Sequence, residues 1–189
     1  MDRARGNSAH PAPLILPYRT LVVLCGPAGS GKSTFAQQVI DRHKDRGFQT
    51  TMIVSSDACR ALVCDDEANQ QVNRDTFDLF YYIIGKRMYQ RRFTIADSTA
   101  LLPNARRHLL DLAERHHYSK HLLIFNVSFE TCMQRDLQRK RRVGEQVIAY
   151  HIGLLKQTLL DVQGENWDAV SLLNEQNMEA MEANVDISL

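Results

Sequence analysis

A surplus of charge is what this sequence lacks most plainly: across 189 residues, 23 Lys and Arg offset 22 Asp and Glu, leaving a formal net charge of +1. No global field draws such a protein toward a polyanion, so any polyanion site has to come from local clustering. Cysteine is scarce as well. The four are Cys25, Cys59, Cys64 and Cys132, none in a C-x-x-C pair, and Cys25 falls inside a predicted core strand. That usage argues against a disulfide framework and for reduced thiols in a cytoplasmic setting. His117 and His121 lie four apart but straddle a predicted helix-to-strand junction, a poor arrangement for holding one metal.

Long apolar runs are missing too. Nothing approaches the roughly 20 residues needed to cross a bilayer. Leu14-Ile15-Leu16 is too short for the core of a signal peptide. Pro11, Pro13 and Pro17 mark residues 1–18 as a flexible lead-in, leaving 19–189 as one domain with a full core. There is no internal repeat and no low-complexity tract.

What the chain does have is Gly26-Pro27-Ala28-Gly29-Ser30-Gly31-Lys32-Ser33-Thr34, which fits G-x-x-x-x-G-K-[ST]. An apolar, β-branched run, Thr20 to Cys25, precedes it. Helical spacing follows from Phe35 to Arg46 and stops at Gly47. Strand, glycine loop and helix together form a phosphate cradle. Glycines let successive N–H groups turn inward, and the helix N-terminus adds positive partial charge. Lys32 would reach the β- and γ-phosphates of a nucleotide, and the Ser33 hydroxyl would ligate Mg²⁺.

Further strands are predicted at 50–56, 93–96, 121–127 and 167–173. Helices are predicted at 57–63, 72–92, 103–116, 130–142, 146–162 and 176–183. Alternation of this kind predicts an α/β fold, a mostly parallel five-stranded sheet with helices on both faces. Ligands in such sheets bind beyond the carboxyl ends of the strands. The glycine loop, Asp57 and Asp97 all fall at such ends.

Asp57 and Arg60 are three apart, so they share one side of a starting helix. Asp57 suits a base acting on an attacking hydroxyl, or simply a helix N-cap. Arg60 suits a clamp on that carboxylate or on an acceptor phosphate. Asp97 suits the Mg²⁺ hydration shell, or a turn bonded to its own backbone. Arg135, Arg139 and Arg142 step by four and then three, which predicts one helical face and an arginine-bearing lid over a nucleotide. A solvated basic face is the plainer explanation. Arg106 and Arg107 stand early in a helix, where cations gain nothing from the dipole, so one of them is expected to face an anionic ligand.

These residues together resemble the polynucleotide 5′-kinase module of bacterial RNA end-healing and repair proteins of the Pnkp type. The resemblance rests on the Lys32-Ser33 loop, Ser55-Ser56-Asp57-Ala58-Cys59-Arg60 and the paired Arg135 and Arg139. It continues through 62–67, 82–87, 105–107 and 147–151, and so spans about Leu21 to Asn174. The resemblance implies the P-loop kinase fold, with ATP as donor, Mg²⁺ as cofactor and the 5′-OH end of RNA or DNA as acceptor. Lys32 and Ser33 would bind ATP and Mg²⁺. Asp57 would be the general base. Arg60 would engage Asp57 and the acceptor's neighbouring phosphate, and Arg135 and Arg139 would clamp the donor phosphates. Homo-oligomers occur among the relatives. No D-x-D-x-T phosphatase signature is present, so phosphatase and ligase steps would fall to other chains, or this is one domain of a longer protein. Two departures stand out. The stretch between the glycine loop and Asp57 is longer here, and Ala100 replaces an Asn that the family pattern favours.

Two other readings compete with a polynucleotide kinase. One is a P-loop kinase for a small metabolite or nucleotide sugar; the other is an ATP-dependent switch without catalysis. Fold alone separates none of them.

Overall fold

The computed structural model describes residues 14–188. Its centre is β2 (Thr20–Cys25), buried at all six positions. Val22 and Leu24 pack into one apolar cluster, while Leu21, Val23 and Cys25 pack into another on the opposite face. A strand covered on both sides has no need of polar alternation, which is why its sequence is a continuous apolar run.

Four more strands join it: β3 (Ile53–Ser55), β4 (Thr94–Asp97), β5 (Ser119–Phe125) and β6 (Ala169–Leu173), all parallel in the order β3-β4-β2-β5-β6. The register aligns Leu24 with Asp97 and Asp97 with Ser55. The glycine loop, Asp97 and the start of the helix bearing Asp57 therefore emerge at one level of the sheet.

One face carries α1 (Lys32–Arg42) and α5 (Phe129–Leu137). The other carries α2 (Ser56–Cys64), α3 (Asn73–Tyr89) and α4 (Pro103–Arg115). The long helix α6 (Glu145–Asp161) reaches both, placing Ile148 in the first cluster and Leu155 in the second.

Several boundaries differ from the sequence reading. Leu14–Pro17, expected within the lead-in, forms β1 and pairs in parallel with a terminal strand β7 (Val185–Ser188) that the sequence did not suggest. Both strands are too short to show a period. They bury only alternate residues, Leu14 and Leu16 against Val185 and Ile187. The remainder of the expected lead-in, residues 1–13, lies outside the described residues. The expected strand at 50–56 begins instead with a 3₁₀ turn, Thr50–Met52. The arginine helix stops at Leu137, five residues early. There the Asp136 carboxylate accepts from Val143 N at 3.0 Å and Gly144 N at 3.0 Å, giving the chain a closed loop in place of another helical turn. The expected terminal helix is shorter, as α7 (Met178–Ala183). Among the described residues no helix is long and apolar enough to cross a membrane.

Candidate functional site

Glycine is demanded twice in the loop between β2 and α1. Gly29 has φ 81°, and a Cβ there would stand 2.5 Å from the carbonyl oxygen of Cys132. Gly31, the residue before α1, has φ 99°. Ser33 and Thr34 at the start of α1 are exposed, which leaves that helix N-terminus open to an anion.

Lys32 is buried and folds back on its own loop, donating from Nζ to Gly26 O at 2.9 Å and Pro27 O at 2.7 Å. Burial lowers its pKa, and the charge of Asp97 opposes that shift. Asp97 is buried as well. Burial raises the pKa of its carboxyl group, against a hydrogen bond from Ser33 and the charge of Lys32. An ammonium, a hydroxyl and a carboxylate thus lie near enough at the end of the central strands for each to shift the titration of a neighbour.

Two cavities flank the glycine loop. One, of about 620 Å³, lies over Gly29 and Gly31 and is walled by Thr34, Gln38, Arg135, Arg139 and Met178. Arg135 is docked against the loop, donating from Nη1 to Ser30 O at 3.0 Å. Arg139 does not continue the helix of Arg135, contrary to its spacing. It lies in the 138–144 loop and is exposed, yet its charge still reaches Lys32 and Asp97. Arg142, expected on the same face, lines the other cavity instead.

The second cavity, of about 820 Å³, opens beside Ala28 and is lined by Asp57, Arg60, Asn73, Tyr81, His108 and His151. Asp57 is not the N-cap of α2; Ser55 takes that place, accepting from Ala58 N through Oγ. Asp57 sits in the first turn with its carboxylate free to reach the cavity. Arg60 donates from Nη1 to Asp57 Oδ1 at 2.7 Å and from Nη2 to Asn73 Oδ1 at 2.9 Å. Its Nε is buried without a partner, an unmade bond on a cation that lines a cavity.

Of the two arginines of which one was expected to face an anionic ligand, Arg107 is exposed and Arg106 is turned into the protein. It is fully buried and forks onto Glu165, with Nε and Nη2 donating to Oε1 at 2.9 and 2.7 Å, while Nη1 donates to Ala100 O and Leu101 O. Those carbonyls belong to a loop bordering the second cavity, so Arg106 braces that wall from inside. Ala100 itself has φ 46°, a left-handed conformation that suits Asn better than Ala.

Several wall residues carried no signal in the sequence. Tyr81 and His108 stack with ring centroids 3.9 Å apart at 12°. Arg141 forms an ion pair with Glu67 at 3.3 Å, joining two loops that both border the second cavity. Met178 approaches Gly31 from the far end of the chain. Each contact spans a long sequence separation, so no local pattern announces it.

The donor set of Ser33 and Asp97 fits a cation held mainly by a nucleotide's phosphates, and no group of three His, Cys, Asp or Glu residues able to cage a metal occurs among the described residues.

The parallel sheet, glycine loop and flanking helices define an α/β P-loop kinase fold. The chain belongs to the AAA domain family (AAA_33), whose model matches residues 21–159. Among solved structures, it is similar to a candidate kinase of Chloroflexus aurantiacus J-10-fl, with 13% identity, a TM-score of 0.61, and coverage of 87% of this chain and 92% of that one. It is similar also to a chain of the Pnkp1/Rnl/Hen1 RNA repair complex, at 19% identity and a TM-score of 0.61. There it covers 84% of this chain but 49% of the other, about half that protein's length. The Mycobacterium tuberculosis APS kinase CysC, solved with AMPPNP and APS, matches at 14% identity and a TM-score of 0.56, covering 92% and 96%. No curated protein sequence matches the chain.

Proposed function

We propose that this protein is an ATP-dependent polynucleotide 5′-hydroxyl kinase, moving the γ-phosphate of ATP to the 5′-OH end of RNA or DNA. The observation that carries the reading is the paired Asp57 and Arg60 in a cavity separate from the one that Gly29 and Gly31 border. A carboxylate there acts as general base on an acceptor hydroxyl. Arg60 lines the same cavity and holds Asp57, so its positive charge stands beside the position of that hydroxyl, where a phosphate of a nucleic-acid strand would lie.

The remaining roles follow from position. Gly26, Pro27, Ala28, Gly29, Ser30, Gly31 and Thr34 supply the backbone cradle for the donor phosphates. Lys32 releases its loop carbonyls and turns to the β- and γ-phosphates. Ser33 and Asp97 would hold Mg²⁺, which would supply charge neutralisation on the phosphates. Arg135 and Arg139 border the donor cavity and stabilise the charge spread over the transferring group. Phosphatase and ligase steps of an end-repair sequence would come from partner chains or from further domains of a longer protein.

A second reading, a kinase for a small metabolite or nucleotide sugar, is favoured by one observation. The Glu67–Arg141 ion pair ties together loops on the border of the acceptor cavity, which suits a bounded acceptor better than a long strand. Transfer of labelled γ-phosphate to 5′-OH oligonucleotides and to a metabolite panel distinguishes the two.

A further inference from the structure

His151 lies on α6, far in sequence from the glycine loop, yet its ring touches that loop. Its Nδ1 accepts from the backbone N–H of Ala28 at 3.3 Å. Ala28 and His151 both line the acceptor cavity, while the adjoining Gly29 lines the donor cavity. The loop tip is pinned from its other side by Arg135, which donates to Ser30 O. The helices carrying these two pins, α5 and α6, are the ones joined by the 138–144 loop that bears Arg139 and Arg142. The peptide at residue 28 is therefore held at the junction where a phosphoryl group would cross from donor to acceptor.

We propose that His151 is a positioning residue for phosphoryl transfer: its neutral imidazole fixes the Ala28 peptide at the boundary between the donor and acceptor cavities. The proposal rests on the phosphotransferase reading above for its kinetic consequence, but not for its geometry. Nδ1 can accept only while the ring is neutral, with its single hydrogen on Nε2. An imidazolium donates from both nitrogens, so protonation sets two donors, the ring and the Ala28 N–H, against each other.

The surroundings keep the ring neutral. Burial lowers the His151 pKa, and the charge of Lys32 lowers it further. Asp57 and Arg60 from α2, His108 from α4, and Arg141 and Arg142 from the 138–144 loop border the same cavity, more cations than carboxylates. The contact is therefore intact at neutral pH and breaks only below the ordinary histidine range.

The test pairs NMR with kinetics on the full chain. In the wild-type protein without nucleotide, the His151 ring is expected as the Nε2–H tautomer. The Ala28 amide resonance should shift in step with the acid titration of that ring. His151→Ala is expected to lower kcat by about 10- to 100-fold, the range for a misplaced reacting group, with little change in the KM for ATP. His151→Asn places an amide oxygen near Nδ1. It should recover most of kcat and flatten the acid limb of the pH–rate profile. An Ala28 amide indifferent to the ring's titration would overturn the proposal. So would a His151→Ala rate equal to wild type, or a His151→Asn variant as slow as His151→Ala with an unshifted pH profile. Absence of transfer to any oligonucleotide would defeat the substrate reading, whereas the amide titration decides the His151 contact regardless of acceptor.

Discussion

Arg60 holds the carboxylate of Asp57 at 2.7 Å, and the two side chains differ sharply in exposure, 4% for the arginine and 59% for the aspartate. The cation is embedded and fixed by Asn73 as well, while the anion reaches outward. A fixed guanidinium and an accessible carboxylate are what a base needs if it is to be oriented without being shut away from its substrate. Asp57→Ala is expected to lower transfer by about 100- to 10,000-fold, the usual contribution of a general base. ATP binding, measured by calorimetry, should be largely unchanged. Arg60→Lys keeps the charge but not the planar fork. Loss of about one charge-assisted hydrogen bond should raise the acceptor KM roughly tenfold or more.

Asp97 makes a prediction about pH. Burial raises its pKa in the folded state above that of the unfolded chain. Between those two values the native state holds more protons than the unfolded state, so stability falls as pH rises through that window. Above it the full cost of a buried carboxylate persists, eased by Ser33 and Lys32. Asp97→Asn should therefore raise the melting temperature of the nucleotide-free protein near neutral pH, and the difference from wild type should shrink as pH falls below the window. The same variant should weaken Mg²⁺-dependent nucleotide binding. Thermal melts across pH, together with Mg²⁺-dependent binding of a nucleotide analogue, check both halves.

Arg106 tests the distinction between a ligand contact and an internal brace. Its bonds to Glu165, Ala100 O and Leu101 O are all within the protein. Arg106→Met should cost about 3–5 kcal/mol of stability, since it strips a partner from a largely buried carboxylate. Arg106→Met combined with Glu165→Gln should recover part of that loss. Denaturant titration reads both, and nucleotide affinity per folded molecule should stay near wild type.

Most of the sheet was legible because its strands are apolar runs of the length a buried strand needs, Thr20 to Cys25 above all. The glycine loop was legible because its chemistry is local: fixed glycines, one lysine and the hydroxyl of Ser33 within nine residues. The convergence of Asp57 and Asp97 on that loop also followed from strand ends alone. What the sequence misjudged depended on distant partners. Arg106 could not be told from Arg107 as the inward-facing one, because its partner Glu165 is 59 residues away. Arg135, Arg139 and Arg142 kept helical spacing, but Asp136 captured the amides of Val143 and Gly144 and ended the helix between them. The β1–β7 pair joins the two ends of the described chain, where a short alternating stretch has no meaning until its partner is present. His151 fell within the 147–151 stretch of the resemblance, but nothing local gave it a role, because its partner is a backbone amide.

Direct assay of phosphoryl transfer tests the central claim. ATP labelled at the γ-phosphate is offered with 5′-OH RNA, 5′-OH DNA and a panel of small hydroxylated metabolites and nucleotide sugars, at low and high salt. The account predicts label on the 5′ end of an oligonucleotide, an acceptor KM that rises with salt as phosphate contacts are screened, and loss of transfer in Asp57→Ala. Label appearing only on a small molecule, with no salt dependence, would contradict it.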